Sequence, residues 1–237
     1  MSSAGPQLVR EAVQASPLKE RSPLAHLLHA LNQPLTGLQC SLELAVAVLR
    51  PADQYARSLR EGLDLVSRIR VLVGAIREVA DLQEIQIEGS VAISLDELLR
   101  ETVRDLLPIA EAKGLRLGLK AADSLMVRGS QTVLNSVMFR FLESALTLSR
   151  ENADFHVGAE AIQQHACVTV SWTPGALPES SPYSPPELGL LIAQAGWEQM
   201  GGSWTQRQTE HSKTCTARIP LVSGPARPGS ARQGDER

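Results

Sequence analysis

Aromatic residues and basic charge are both scarce in this sequence, and their scarcity argues against a nucleic-acid partner. Phe, Trp and Tyr together make up 3% of the 237 residues, too few for a surface on which single-stranded bases stack. The formal net charge is −3, whereas proteins that hold a phosphate backbone carry a clustered positive field. We therefore expect no nucleic-acid partner.

Cysteine and long apolar runs are also in short supply. The three cysteines, Cys40, Cys167 and Cys215, lie far apart, with neither the spacing of a metal site nor the pairing of a disulfide framework. No segment approaches the roughly 20 consecutive apolar residues that span a membrane, and residues 1–21 lack the apolar core of a signal peptide. We expect a cytoplasmic protein with reduced thiols, no bound metal and no membrane attachment.

Hydrophobic residues nevertheless make up 43% of the chain, and the first strong pattern among them is helical. Leucine or alanine recurs from Leu24 to Leu49 at alternating spacings of four and three residues, as in a coiled-coil seam. Pro51 then breaks the helix, and a second seam runs from Gly62 to Ala80. Two long helices joined by a short turn predict an antiparallel hairpin.

Each predicted helix also carries apolar residues beside its seam. A single hairpin would leave these side chains in water, which is unfavourable. Dimerisation would bury them, so we expect a homodimer in which two hairpins form a four-helix bundle. The residues concerned are Leu27, Leu44, Leu65, Leu72 and Val79.

Beyond residue 83 the pattern changes to alternating helices and strands, which predicts a separate α/β sandwich. The fold class is therefore α+β, with a leader (1–21), a helical hairpin (22–83), an α/β domain (84–222) and a polar, disordered tail (223–237). The predicted helices are Ser94–Lys113, Gln131–Ser149 and Pro185–Met200, and the predicted strands are 85–87, Leu115–Leu119, Cys167–Trp172, Ser203–Arg207 and Thr214–Leu221.

A candidate functional residue, His29, lies in the first helix, within the segment His-Ala-Leu-Asn-Gln-Pro-Leu-Thr. It follows the seam residue Leu28, so its ring is expected to point away from the seam and to be accessible. Histidine is a nucleophile that is largely neutral at pH 7. Pro34 in the same segment interrupts a strong heptad pattern at a cost of about 3 kcal/mol. Taken alone, His29 would be interpreted as an ordinary surface histidine of a helical hairpin.

This segment resembles the phosphoacceptor motif of two-component sensor histidine kinases. The resemblance implies that His29 is the phosphoacceptor, that Asn32 and Gln33 belong to the same catalytic motif, and that His26 is a bystander. It also implies that the hairpin is the dimerisation element and that the partner is the receiver domain of a response regulator.

The resemblance continues into the α/β domain. The segment from Leu95 to Leu117 looks like the first helix and strand of the ATP-binding domain of these kinases. The helix from Val137 to Ser149 corresponds to the one that carries their asparagines, and Gly189 to Trp204 resembles their glycine box and the turn that follows. The implied fold is a Bergerat-like α/β sandwich.

The sequence departs from the family pattern where ATP would bind. Arg140 and Ser144 stand where the family has two asparagines that coordinate magnesium and the phosphates, and a magnesium site prefers oxygen ligands. The segment from Ser171 to Ala176, which contains Gly175, lacks the family's adenine-binding aspartate, and Glu187 precedes Gly189 in place of a Gly-x-Gly sequence. We expect no bound cofactor, with ATP and magnesium used only if this degenerate site is still active.

The phosphoacceptor segment is altered as well. Ala30 replaces the acidic general base that normally follows the phosphoacceptor, although phosphoryl transfer from an aspartyl phosphate needs that base less. We therefore expect a histidine phosphotransferase that exchanges phosphate with receiver domains. Two alternatives stay open from the sequence: a divergent, ATP-dependent sensor histidine kinase, and a non-catalytic pseudokinase scaffold. Whether the chain is an enzyme depends on that choice.

Overall fold

The computed structural model describes residues 22–48, 51–84, 91–175, 183–209 and 211–222. The predicted leader, the strand expected at 85–87 and the predicted tail lie outside these residues. Within the described part of the chain, no helix is both long enough and apolar enough to cross a membrane.

The hairpin predicted from the two seams is formed by α1 (Pro23–Ala47) and α2 (Ala52–Glu84). The Ser22 hydroxyl caps α1 by accepting a hydrogen bond from the Ala25 N–H at 3.3 Å, as Ser at an N-cap commonly does. The helix continues past Pro34, which has no N–H to donate. Asp53 places an acidic side chain in the first turn of α2, where it interacts favourably with the helix dipole.

The α/β domain packs three helices on one face of a five-stranded sheet. Its helices are α3 (Leu95–Ala112), α4 (Gln131–Leu148) and α5 (Pro185–Gln199), close to the predicted bounds. The strands are β1 (Val91–Ser94), β2 (Arg116–Ala121), β3 (Met126–Gly129), β4 (Asp154–Ile162), β5 (His165–Trp172), β6 (Ser203–Gln208) and β7 (Lys213–Pro220).

The five-stranded sheet has the order β2-β4-β5-β7-β6, in which β2 and β4 are parallel and the other neighbours antiparallel. Strands β1 and β3 form a separate antiparallel pair. Alternate residues of the large sheet are buried against the helices, as the period of two requires. The core residues of the two central strands are Phe155, Val157, Ala159, Ala166, Val168, Val170 and Trp172.

Two side-chain anchors hold the α/β domain together. The buried carboxylate of Asp96 accepts hydrogen bonds from the Ser94 hydroxyl at 2.9 Å and from the Leu125 N–H at 3.1 Å. Burial raises the pKa of Asp96, but these hydrogen bonds outweigh it and leave the pKa below its ordinary value. The Lys113 ammonium donates to the last carbonyls of α4, those of Leu146 at 3.0 Å, Thr147 at 2.7 Å and Ser149 at 3.0 Å, which compensates the negative end of that helix.

Helix α5 covers one side of the hairpin and thereby changes the argument for a dimer. Three of the residues expected to be wet in a single hairpin, Leu27, Leu72 and Val79, are buried within the chain, so that expectation is wrong for them. The reason is that helix packing between distant parts of the sequence covers them. The α5 residues that do so are Leu188, Ile192 and Ala195.

The seam of α1 is only partly covered within the chain. Leu24, Leu31 and Leu38 are half-buried. The alternate seam residues Leu28, Leu35 and Leu42 are instead 48%, 43% and 52% exposed. Helix α2 likewise exposes Leu59, Leu63 and Val66. We call these six residues the outward stripe.

Candidate functional site

His29 lies on the solvent side of α1, as its position after the seam residue predicts. Asn32 and Gln33 are exposed beside it, and Gln33 shares its helical face because it lies four residues further along. Ala30 is 1% exposed and belongs to the core shared by the hairpin and α5. The phosphoacceptor candidate is thus presented to solvent from a helix that is fixed from behind.

The α4 positions assigned to the degenerate nucleotide site lie in a helix–helix contact. A β-carbon placed on Gly189 of α5 would collide with the Ser144 hydroxyl and lie 3.5 Å from Cδ of Arg140. Ser144 is 4% exposed. A β-carbon placed on Gly196, two turns after Gly189 in α5, would likewise collide with Val137 of α4. The absence of side chains at these two glycines allows the backbone of α5 to rest directly on α4.

Gly175, which follows β5, lies at the carboxyl end of α4. Its N–H donates to the Leu148 carbonyl at 2.9 Å, and a β-carbon there would lie 3.3 Å from the Ser149 carbonyl oxygen. The structure therefore brings Gly189 against Arg140 and Ser144, whereas Gly175 lies at the carboxyl end of α4, about one turn beyond Ser144.

The core next to these positions is filled by aromatic rings. Trp172, at the end of β5, is 2% exposed, and Trp197 of α5 is fully buried. The rings of Phe141 and Trp204 meet edge to face with their centroids 4.7 Å apart. Neither the Trp172 nor the Trp197 indole N–H has a hydrogen-bond partner among the described residues. Such a region is stabilised by apolar packing rather than by polar contacts.

The start of α5 carries its own anion. Glu187 forms a capping box with Ser184, whose N–H donates to the Glu187 carboxylate at 3.2 Å. A helix N-terminus is a favourable place for a phosphate group, and here a carboxylate of the chain already takes that role.

Arg140 reaches away from α4 to the hairpin. Its guanidinium Nη2 lies 2.7 Å from the Glu78 carboxylate oxygen Oε2 on α2, and the two side chains are 39% and 45% exposed. The sequence pattern predicts a lost metal site at Arg140 but gives no sign of this partner, because the two residues are 62 positions apart.

The structure offers no metal site among its described residues. No group of three or more His, Cys, Asp or Glu side chains is placed to hold an ion there. Cys167 and Cys215 are buried and Cys40 is exposed, all three as free thiols. Burial raises the pKa of Cys215 to about 12, so this thiol is a packing residue rather than a nucleophile.

A cavity of about 530 Å³ opens beside the His29 segment, between the hairpin and the start of α5. The α1 residues Ala30, Gln33 and Pro34 form one wall, and Tyr183, Ser184 and the first residue of α5, Pro185, form another. The α2 wall consists of Leu65, Ser67, Arg68, Val71 and Leu72.

Comparison with known proteins gives matches of structure only. Neither the protein-family models nor the curated proteins match this sequence. Histidine kinase AdeS of Acinetobacter baumannii has a TM-score of 0.53 at 17% identity, over 81% of this chain and 98% of that one. Histidine kinase ThkA, in complex with response regulator TrrA, has a TM-score of 0.54 at 17% identity, over 84% of this chain and 60% of that one.

A third match covers a similar share of this chain. A histidine kinase from Burkholderia phymatum STM815 has a TM-score of 0.50 at 18% identity and covers 83% of this chain and 98% of its own. These matches cover the hairpin together with the α/β domain. The chain therefore has the fold of a sensor histidine kinase core, in which a helical hairpin precedes an ATPase-like α/β domain.

Proposed function

We propose that the chain is a histidine phosphotransferase of a two-component phosphorelay, with His29 as the phosphoacceptor. An imidazole nitrogen of His29 attacks the phosphorus of an aspartyl phosphate on a receiver domain. A P–N bond forms, the acyl phosphate P–O bond breaks, and the aspartate carboxylate leaves. The reverse reaction passes the phosphoryl group to a second receiver. Because the donor is already activated, Ala30 in place of an acidic base is no obstacle.

The contact between α4 and α5 is the observation that carries this proposal over an ATP-dependent kinase. The side chains that would have to meet magnesium and the phosphates are engaged elsewhere, with Arg140 paired to Glu78 and Ser144 packed against Gly189. Glu187 holds the N-terminus of α5. These residues do not suit Mg²⁺ or a triphosphate, since magnesium requires oxygen ligands in an open octahedral arrangement.

A response-regulator receiver is the proposed partner. The matched kinase ThkA is seen in complex with the response regulator TrrA, and this chain presents its histidine on the corresponding hairpin. Asn32 and Gln33 lie next to His29 and are exposed, so they are available to position the phosphoryl group. We assign them that role as part of the proposal.

A homodimer is the proposed assembly, and the outward stripe is its interface. The six apolar residues of the stripe are between 39% and 67% exposed. They recur on both helices of the hairpin, as the inner positions of a four-helix bundle do. Pairing with a second copy would remove this apolar surface from water.

The test is the source of the phosphate on His29. The chain is incubated with labelled ATP and magnesium, and separately with a panel of labelled, phosphorylated receivers. We expect labelling only from a receiver, lost in His29→Ala and kept in His26→Ala, the matched histidine one turn earlier. Labelling by ATP that depends on His29 would instead establish a kinase. Stable binding of receivers without any labelling would establish a scaffold.

A further inference from the structure

Among the described residues, the wall of the cavity beside the His29 segment has one charged side chain. Arg68 is that residue, and its neighbours there are apolar or uncharged. Among the described residues Arg68 forms neither an ion pair nor a hydrogen bond. Asp64, one turn away on α2, lies outside the cavity wall. A guanidinium without a partner presents five N–H donors in a planar fork suited to a carboxylate or a phosphate.

The register of the hairpin places Arg68 near His29. Leu65 of α2 faces Gly37 of α1, and Leu38 faces Gly62, so Arg68 lies level with Gln33. Gln33 is one turn from His29, which corresponds to about 6 Å along the helix axis. Helix α1 contains no Asp, Glu, Lys or Arg from Pro23 to Leu42. On this side of the hairpin, the Asp, Glu, Lys or Arg side chains near His29 therefore belong to α2 rather than to α1.

The cavity and the outward stripe lie on different sides of the hairpin. None of the stripe residues belongs to the cavity wall. A dimer formed through the stripe would therefore leave the cavity open. The first turn of α5, at Ser184 and Pro185, closes the far side, so an occupant would contact the hairpin and the α/β domain at the same time.

We propose that this cavity is the docking site of the receiver domain and that Arg68 binds an acidic group of that partner next to its aspartyl phosphate. This inference rests on the proposed function and adds the residue that orients the partner. Charge complementarity supports it, because a phosphorylated aspartate and its surrounding carboxylates are negative, whereas Arg68, the one charged side chain among the described residues of the wall, is positive. Arg68 is a positioning residue: it holds the partner and takes no part in the bond changes at His29.

The test compares Arg68→Glu with Arg57→Glu. Arg57 lies on the same helix three turns away, so it shares the face of Arg68. It is exposed and forms no ion pair with any described residue. Receiver binding is measured by calorimetric titration, and phosphoryl transfer by the initial rate of His29 labelling at two ionic strengths. We expect Arg68→Glu to lower affinity and rate at least roughly tenfold and to reduce their salt dependence, with Arg57→Glu within about twofold of the unchanged chain.

A small phosphoryl donor separates docking from chemistry. Phosphoramidate needs no protein surface, so it should label His29 equally in the unchanged chain and in Arg68→Glu, which also shows that the variant is folded. Loss of this labelling in a folded variant would overturn the docking role, because Arg68 would then act on His29 itself.

The outcomes also distinguish this inference from the proposed function. Normal receiver binding and transfer in Arg68→Glu would refute the docking site and leave the phosphotransferase intact. Receiver binding that Arg68→Glu weakens, without phosphate reaching His29, would refute the phosphotransferase and support the docking site. A chain that neither binds nor is labelled by any receiver would refute both.

Discussion

Arg140 of α4 and Glu78 of α2 form an ion pair, with Nη2 and Oε2 2.7 Å apart, that connects the α/β domain to the hairpin. The pair lies at the edge of an apolar contact made by α5 on the same hairpin. A position expected from the sequence to have lost a metal thus has a structural partner in another part of the chain.

Breaking this ion pair should have a small effect on stability. Both side chains are more than a third exposed, so solvent screens them and Glu78→Gln should lower the free energy of unfolding by no more than about 1 kcal/mol. A double-mutant cycle with Arg140→Gln, followed by urea unfolding, measures the coupling. Arg104→Gln, an exposed change on α3, is the control. A coupling free energy well above about 1 kcal/mol would contradict the expectation that solvent screens this pair.

Gly189→Ala should destabilise the contact between α4 and α5. The new methyl group would collide with the Ser144 hydroxyl, and overpacking of this kind costs about 1–3 kcal/mol. Adding Ser144→Ala should recover part of the loss, since it removes the colliding oxygen. Urea unfolding of the three variants measures both effects.

Gly74→Ala is the matched control for that experiment. Gly74 lies inside α2, and a β-carbon there would meet no atom within 4 Å. The same substitution should therefore stabilise the chain by up to about 1 kcal/mol through helix propensity. Equal effects at Gly74 and Gly189 would contradict close packing of α5 on α4.

Leu35→Glu should prevent dimerisation through the outward stripe. Leu35 is 43% exposed in the single chain, so the folded monomer tolerates a charge there, whereas an apolar interface does not. Sedimentation velocity should show the unchanged chain as a dimer and this variant as a monomer. Leu107→Glu is the control, because Leu107 is 41% exposed and lies on α3, outside the hairpin. A monomeric unchanged chain would refute the dimer.

Asp96 should make stability depend on pH in the acid range. Its pKa is lowered in the folded chain, so the carboxylate stabilises the fold above its ordinary pKa of 3.8. That contribution is lost as the pH falls from there through the lower folded value, because the unfolded state then binds more protons. Urea unfolding between pH 7 and pH 3 should show a steeper loss for the unchanged chain than for Asp96→Asn. Asp105→Asn, an exposed carboxylate, should keep the slope of the unchanged chain.

Local sequence signals account for most of the fold. The predicted bounds of α4 and α5 agree with the structure because N-caps and turns are encoded within a few residues, as at Ser184 and Glu187. Strand β4 is not among the strands whose bounds the sequence predicts. Its inward positions alternate as a strand requires, but Gly158 and the alanines around it favour strands weakly.

The contacts between distant segments could not be predicted from the sequence. The exposure of His29 follows from its heptad position, and the structure agrees with it. The burial of Leu27 and Leu72 depends on α5, which lies more than a hundred residues later in the chain. No periodicity carries that information, since it arises from tertiary packing. The same holds for the cavity beside Gln33, whose far wall begins at Tyr183.

Helix α5 belongs to two hydrophobic cores at once. Leu190, Ala193 and Trp197 contribute to the core of the α/β domain, while residues on its other side contribute to the core beneath His29. Helix α5 thereby fixes the hairpin to the α/β domain, so we expect the proposed receiver partners to bind a preformed surface without waiting for a conformational change.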